Sequence, residues 1–180
     1  ILKDSYQKSI SASVIDPLTK LYNRRYLDIH LINMVKEAKA KKAELSIMTI
    51  DIDHFKQVND KPGWGHHVGD EVLVQVAKRI KECVRATDCA TRPGGEEFVV
   101  IMPNTGLTMA EMIAMRTNKI MSDSQFKISA EPGKVTITVS IGVATFRHNG
   151  IDNALELLKR SDTGLYKAKQ TGRNKYVVIE

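Results

Sequence analysis

The chain has 180 residues, of which 42% are apolar and 27% charged, which is the balance of one globular domain with a buried core rather than of a disordered chain. No apolar run approaches the ~20 residues that span a bilayer. Lys and Arg outnumber Asp and Glu by 27 to 21, and because the basic residues are not interleaved with aromatics, we expect phosphate-bearing partners and no nucleic acid.

The start of the chain and its cysteines bear on its context. The chain begins at Ile1 with neither an initial Met nor an apolar signal sequence, so we expect a piece of a longer protein that is not secreted. Cys83 and Cys89 are too few for a disulfide framework or a metal knuckle, and we expect two reduced core thiols in a cytoplasmic domain. The sequence leaves open whether the parent protein is attached to a membrane.

The first half of the chain is predicted to place one buried strand between helices. Residues 1–15 have weak helical periodicity and predict a helical lead-in from an upstream module, and Asp16-Pro17 marks the start of a domain over 16–180. Asn23 is predicted to cap a helix. Then follow an apolar strand, a loop rich in Gly and Pro, and an amphipathic helix, over 45–51, 60–69 and 71–84.

The second half centres on a hairpin. Residues 88–92 and 97–102 are predicted to pair around Pro93-Gly94-Gly95. The rest is predicted to form, in order, a helix, an alternating strand, a helix, a turn and a last strand, over 107–121, 135–144, 151–169, 171–174 and 176–179. Helices intermixed with strands around a hairpin indicate an α/β fold, with a mixed or antiparallel sheet and helices packed on it.

Four acidic residues stand at the ends of these strands. Asp51 and Asp53 close the first strand, and Glu96 and Glu97 follow the glycine pair of the hairpin. Carboxylates placed in this way can converge on Mg²⁺, which prefers oxygen ligands, and glycines without a Cβ let a triphosphate approach the backbone. The alternative is a set of solvated polar residues at a strand end and in a turn, and spacing alone does not decide between the two.

The residues from 94 to 98 resemble a known signature. Gly94-Gly95-Glu96-Glu97-Phe98 is similar to the motif of the GGDEF family of diguanylate cyclases, in its GGEEF form. Other segments resemble further family motifs in the same order, from residue 16 to the last strand: 16–19, 21–25, 51–56, 59–60, 65–66, 69–70, 140–144, 161–162, 165–169 and 172–174. Each segment is weakly specific alone, but together they are highly specific.

The resemblance implies an enzyme that condenses two GTP molecules into cyclic di-GMP and releases two pyrophosphates. It implies a fold related to nucleotidyl cyclases and polymerase palms, with a mixed sheet of about five strands, surrounding helices and the GGEEF motif on a β-hairpin. A ribose 3′-hydroxyl attacks an α-phosphorus, so Mg²⁺ or Mn²⁺ is the implied cofactor. Each protomer holds one GTP, so we expect catalysis in a homodimer, controlled by an upstream sensory or dimerisation domain.

Carried onto this sequence, the resemblance assigns roles to the acidic residues. The implied metal ligands are the carboxylates of Asp51 and Glu96 and the carbonyl of Ile52. Glu96 is also implied in deprotonating the 3′-hydroxyl, and Glu97 in contacting a second metal.

The resemblance also assigns substrate contacts. Asn59 and Asp70 match the guanine readers, since a carboxylate accepts two hydrogen bonds from guanine that adenine does not offer. The other matches are Leu73 against the base, His66 in the adjoining loop, the amides near Phe55 and Lys56 at the phosphates, and Lys169 and Arg173 as phosphate clamps. As alternatives, Asn59 and Asp70 are helix caps and the two clamps are a solvated helix end.

A regulatory site is implied as well. Arg85 and Asp88 resemble the family's RxxD inhibitory site, where cyclic di-GMP binds, and Arg116 stands where the family often has a second arginine. The alternative is an i,i+3 salt bridge between Arg85 and Asp88 at a helix end.

The sequence departs from the family pattern at three places. Residues 61–64 make the loop beside the implied guanine pocket about two residues longer than usual. Pro93 replaces an aromatic or aliphatic residue, and Lys20 stands where glycine is common. None of these departures removes an implied catalytic group.

An active, metal-dependent diguanylate cyclase is therefore the leading expectation. The rival of a different class is a degenerate domain that binds GTP or cyclic di-GMP as a regulator, and the intact Glu96-Glu97 pair argues against it. Asp70 disfavours a cyclase that makes a mixed guanine–adenine dinucleotide. A nucleic-acid polymerase palm is disfavoured because 180 residues leave no fingers or thumb.

Overall fold

A sheet of five strands lies at the centre of the computed structural model, which describes residues 14–180, so most of the predicted lead-in helix lies outside the described residues. The strands of this sheet are β1 (Leu45–Ile52), β2 (Cys89–Gly94), β3 (Glu97–Pro103), β6 (Val139–Thr145) and β7 (Lys175–Ile179). A separate hairpin pairs β4 (Phe126–Lys127) with β5 (Lys134–Val135). The helices are α1 (Arg24–Lys41), α2 (Phe55–Asp60), α3 (Gly65–Cys83), α4 (Leu107–Asp123) and α5 (Ala154–Gln170). The predicted α/β fold is confirmed.

The strand order is β2-β3-β1-β6-β7, which puts β1 in the middle. β1 is antiparallel to β3 and β6, and β7 is parallel to β6, so the sheet is mixed. In this register Asp51 of β1 stands opposite Glu97 of β3 on one side and Ser140 of β6 on the other. Polar residues from three neighbouring strands therefore meet at one end of the sheet.

Both faces of the sheet are covered, which is why β1 is almost continuously apolar. Met48 and Ile50 belong to the larger core cluster, which also holds residues of α3 and α4. Ile47 belongs to the smaller cluster, with residues of α1 and α5. Because side chains alternate along a strand, Asp51 shares the face of Ile47. The acidic end of β1 thus opens toward α1 and α5.

Helix α5 lies unusually close to the sheet, and glycine permits this approach. A Cβ at Gly142 of β6 would stand 1.8 Å from the carbonyl oxygen of Ser161 and 2.2 Å from the amide nitrogen of Leu165. A Cβ at Gly164 would stand 2.8 Å from the carbonyl oxygen of Val177. Two glycines in contact let the backbones of helix and sheet meet, and this contact carries the end of α5 to the acidic end of β1.

Several local expectations are confirmed. The Asn23 side chain accepts from the Tyr26 amide at 3.3 Å and caps α1. Cys83 and Cys89 are free and buried, and burial raises the pKa of the Cys89 thiol to about 12. Lys20 has φ +61°, the left-handed region where glycine carries no steric cost.

Within residues 14–180 no helix combines the length and apolarity needed to cross a bilayer.

The helix predicted from residue 151 begins only at Ala154, where Asn153 caps it. Two further predicted boundaries are wrong, and tertiary contacts explain both. Residues 65–69 are the first turn of α3 rather than loop, because Gly69 lets the helix pack on α2: its Cβ would fall 2.0 Å from Asn59 Oδ1. The strand predicted over 135–144 is two strands, β5 and β6, separated by residues 136–138. The alternating pattern persists there because Ile137 is still buried, although it pairs in neither sheet.

Candidate active site

Three of the predicted acidic residues meet where β1 ends beside the β2–β3 hairpin. Asp51 is paired in register with Glu97, and the amide of Ile52 donates to the carbonyl of Glu96 at 3.3 Å. From above, Lys169 near the end of α5 places its Nζ 2.9 Å from Asp51 Oδ2. The sheet register and the close packing of α5 therefore build one cluster from three distant parts of the sequence.

Burial, with a contribution from neighbouring negative charge, raises the pKa values of the carboxyl groups in this cluster. Burial raises the pKa of Asp51, and the charge of Asp53 adds to this effect, while Lys169 opposes it. Burial raises the pKa of Glu96 as well, and the charge of Asp51 contributes. Negative charge at this end of the sheet is thus incompletely balanced by the protein, and a bound cation would balance it.

Glu97 belongs to an adjoining patch on the same face. Burial raises its pKa, and the charge of Asp162 on α5 adds to the rise. Arg24, at the start of α1, acts in the opposite direction on both carboxyl groups. Arg24 and Asp162 lie in segments that resemble family motifs, but the sequence assigned them no role, because they act on Glu97 only through the packing of α1 and α5 on the sheet.

The donor set fits a hard cation whose shell is completed by substrate. Within residues 14–180 no three Asp, Glu, His or Cys side chains form a ready metal cluster. Mg²⁺ is usually held by one or two carboxylates, with waters and substrate phosphates supplying the other ligands. The carboxylates of Asp51 and Glu96, together with the carbonyl of Ile52, suit that partial shell. Asp53 does not join it, because its oxygens accept hydrogen bonds from Thr138, Ser140 and Asn174.

The tip of the hairpin is braced from the side by Arg92. Its guanidinium donates to the Gly95 carbonyl at 2.7 and 3.0 Å and to the Asp16 carboxylate at 3.1 and 3.2 Å. The side chains of Arg92 and Asp16 are only 13% and 15% exposed. The sequence did not point to Arg92, because its partner Asp16 lies 76 positions away in the chain.

The glycine pair of the hairpin is free of packing constraints. Gly95 has φ +55°, which the turn requires. Gly94 has no such backbone, and a Cβ there would meet no atom within 4 Å. Nothing in the described part of the chain demands glycine at Gly94, so the open space suits a ligand that approaches the backbone. Pro93 sits in a bulge between Thr91 and Gly94, where its missing amide costs no ladder hydrogen bond.

The predicted guanine readers lie at the contact of α2 and α3. Asn59 Oδ1 is buried and has no hydrogen-bond partner among residues 14–180, which is the state expected of an acceptor that waits for a ligand. Asp70 is exposed and borders an open groove with His67 and Val74. Leu73 is 3% exposed and belongs to the larger core cluster.

The remaining predicted contacts divide by burial. Phe55, the first residue of α2, is buried, whereas Lys56 is exposed. His66 is exposed in the first turn of α3 and not in a loop as predicted. Arg173 follows α5 in a tight turn with φ +61°, and its charge acts on Asp51. Both predicted phosphate clamps, Lys169 and Arg173, therefore lie beside the acidic cluster.

The unusual loop over 61–64 is anchored rather than loose. Trp64 is 5% exposed, and its Nε1 donates to the carbonyl of Glu131 at 2.9 Å. Lys61 places its Nζ 3.8 Å from the centre of the Trp64 ring. The extra length thus ties the end of α2 to the turn between β4 and β5.

Comparison with known protein families shows to which family the chain belongs. A family model described as "Diguanylate cyclase, GGDEF domain" matches residues 13–175. The chain belongs to the GGDEF family. Among curated relatives, Response regulator PleD of Caulobacter vibrioides is 44% identical over 176 residues, which are 98% of this chain and 38% of that protein. Diguanylate cyclase A of Treponema denticola is 37% identical over 92% of this chain and 44% of that protein. The chain spans less than half the length of these two relatives.

Solved structures agree with this fold. The coiled coil and GGDEF domain of DgcB from Caulobacter crescentus, in complex with c-di-GMP, superposes with a TM-score of 0.93 at 28% identity, covering 99% of this chain and 92% of that one. The active GGEEF domain of a diguanylate cyclase from Vibrio cholerae superposes with a TM-score of 0.80 at 34% identity, covering 88% and 97%.

The residues that resemble the GGDEF inhibitory site are engaged within the chain. Arg85 donates to Asp88 at 3.0 Å and to the Pro103 carbonyl at 3.1 Å, and the Asp88 side chain is fully buried. Arg116 donates to the carbonyl of Cys83. The i,i+3 salt bridge raised as an alternative is therefore present. Arg85 and Asp88 also border a surface pocket with Lys20.

Proposed function

We propose that this domain is a metal-dependent diguanylate cyclase of the GGEEF form, which condenses two GTP into cyclic di-GMP and two pyrophosphates. The observation that carries the proposal is the meeting of Asp51, Glu96 and Glu97 at the hairpin tip, with Lys169 against Asp51. In a chain of the GGDEF family, this cluster combines oxygen ligands for a cation with a positive charge for phosphates.

The proposed chemistry begins with placement of the triphosphate. Asp51, Glu96 and the Ile52 carbonyl would hold Mg²⁺ or Mn²⁺, which when bound neutralises phosphate charge and orients the α-phosphorus. Lys169 and Arg173 stabilise the charge that builds on the phosphoryl oxygens and the leaving pyrophosphate. Glu96, whose pKa is raised, accepts the proton of the attacking 3′-hydroxyl.

The base is selected at the α2–α3 contact. The unsatisfied Oδ1 of Asn59 accepts from guanine, and Asp70 accepts from its N1–H and amine. Adenine lacks these donors and would leave the acceptors unpaired, which is why we expect GTP to be preferred over ATP.

One domain provides one half of the reacting pair. Each protomer holds a single GTP, so the 3′-hydroxyl of one must meet the α-phosphorus of the other across a homodimer. An upstream domain would bring the two halves together in the cytoplasm, where GTP is supplied. Product inhibition would follow when cyclic di-GMP breaks the salt bridge between Arg85 and Asp88 and binds to Arg116.

The test is product analysis after incubation with GTP and Mg²⁺, with Glu96→Gln as the matched variant. We expect cyclic di-GMP and pyrophosphate from the unaltered domain, and at least about 10²-fold less from the variant. The absence of product, combined with cyclic di-GMP binding that Arg85→Ala abolishes, would contradict the cyclase and establish a regulatory domain instead.

A further inference from the structure

Asp53 stands two residues after Asp51 but has a different environment. It is 6% exposed, and its carboxylate accepts from Thr138 Oγ1 at 2.7 Å, from Ser140 Oγ at 2.7 Å and from the Asn174 amide at 3.0 Å. Three donors share its two oxygens. Asp53 is therefore committed to the protein, and its oxygens are not available to a cation in this arrangement.

The Asn174 amide belongs to a turn with an uncommon backbone. Arg173 and Asn174 have φ +61° and +46°, the left-handed region that residues other than glycine seldom adopt in succession. The Arg173 amide donates to the Ala168 carbonyl at 2.9 Å, and Asn118 donates to Asn174 Oδ1 at 3.3 Å. Strained backbone of this kind persists where the surroundings hold it and clusters at functional sites.

We propose that Asp53 is a positioning residue, which holds the 173–174 turn so that the guanidinium of Arg173 faces the phosphates bound beside Asp51. This inference rests on the proposed function, because it needs Arg173 to contact a nucleotide. The bond from Asn174 to Asp53 joins residues 121 positions apart and fixes the peptide that follows Arg173. Asp53 therefore acts on substrate through Arg173 and not through the metal.

The test is a double-mutant cycle on the affinity for a GTP analogue with a methylene bridge between the α- and β-phosphates, which binds without turnover. We expect Asp53→Ala to weaken binding by about tenfold, Arg173→Ala to do the same, and the double variant to bind no worse than Arg173→Ala. Asp53→Asn keeps an oxygen for the Asn174 amide, so it should bind as the unaltered domain does, at the same Mg²⁺ requirement.

A control separates positioning from general stability. Asp152 is also a buried aspartate, 4% exposed, and it accepts from the Arg147 amide at 2.8 Å just before the other end of α5. Asp152→Ala should lower the melting temperature of the domain without weakening its affinity for the analogue.

Two results would overturn the inference. One is additive losses in Asp53→Ala and Arg173→Ala. The other is an Asp53→Asn variant that binds poorly and needs more Mg²⁺, which would make Asp53 a metal ligand. If Asp53→Ala does not fold, Asp53→Asn decides alone. Analogue binding without cyclic di-GMP synthesis would contradict the proposed function while leaving this inference standing, and a domain that binds no analogue would contradict both.

Discussion

At the scale of single residues, the ion pair between Lys169 and Asp51 favours the charged form of the Asp51 carboxyl group. Burial raises the pKa of Asp51, and Lys169 is the main group that opposes the rise. An acid whose pKa is raised loses its charge at a higher pH than usual. Lys169 therefore favours the ionised form of Asp51 that a cation needs.

Removing this charge should move the acidic limit of activity. In Lys169→Met the pKa of Asp51 rises further, so we expect the acidic limb of the pH profile of kcat/KM to shift to higher pH, with a higher KM for GTP. Lys167→Met is the matched control, since Lys167 is exposed in the same helical turn. An acidic limb that stays in place in Lys169→Met would contradict this account.

The pair of Asp16 and Arg92 predicts how stability depends on pH. Burial acts to raise the pKa of Asp16, but hydrogen bonds from Thr19 and the charge of Arg92 outweigh it and hold the pKa below its usual 3.8. A lowered pKa contributes stability above the unfolded value, and this contribution is lost as pH falls through the folded value.

We expect Asp16→Asn to lower the free energy of unfolding by about 3 kcal/mol near pH 7, because it leaves the buried Arg92 without its counter-charge. The difference from the unaltered domain should shrink as pH falls below 3.8. Denaturant unfolding between pH 2.5 and pH 7 measures it. A difference that is the same at every pH would show that the pair contributes nothing through charge.

At this scale the sequence predicts which residues carry reactive or charged groups, but not the direction in which their side chains point. Asp51 and Asp53 have equivalent positions in the sequence, yet one faces the site and the other faces Thr138 and Asn174. Arg92 reaches Asp16 across 76 positions, and no local pattern announces such a contact. Long-range packing decides both, so the structure is needed to separate ligands from residues that position them.

The hairpin and α5 are the elements that build the site, and two glycines test their roles separately. At Gly142 a Cβ would meet backbone atoms of α5, which cannot rotate away. At Gly94 it would meet no atom of the described residues within 4 Å. The first glycine serves helix–sheet packing, and the second serves whatever approaches the hairpin.

We therefore expect opposite phenotypes from the two alanine variants. Gly142→Ala should lower the free energy of unfolding by about 3 kcal/mol or more, since the whole helix must move. Gly94→Ala should change it by less than about 0.5 kcal/mol but weaken GTP binding severalfold. Thermal unfolding and nucleotide titration of both variants measure this contrast, and a stable Gly142→Ala or a Gly94→Ala with normal GTP affinity would refute it.

Helices and strands whose buried residues recur at helical or strand spacing could be predicted from the sequence. Boundaries that depend on contacts between distant residues could not. The apolar run of β1 and the apolar stripe of α3 reveal themselves by spacing. The start of α3 was hidden by its glycines, because Gly69 serves a contact with Asn59 that the sequence does not show. The break after β5 was hidden because Ile137 remains buried outside any strand.

For the molecule as a whole, the proposed function makes this domain one half of a catalytic unit. In the proposed function, the cluster at the end of β1 binds one nucleotide and a second protomer supplies the other. The chain also spans less than half the length of the two curated relatives described above.

The initial rate of cyclic di-GMP formation across a series of protein concentrations, at saturating GTP and Mg²⁺, tests the central claim most directly. Because two protomers must meet, the rate per molecule should rise with concentration and level off when the dimer is full. An excess of Glu96→Gln mixed into the domain should suppress it. A rate per molecule that is independent of concentration, or no product at any concentration, would contradict a cyclase built from two half-sites.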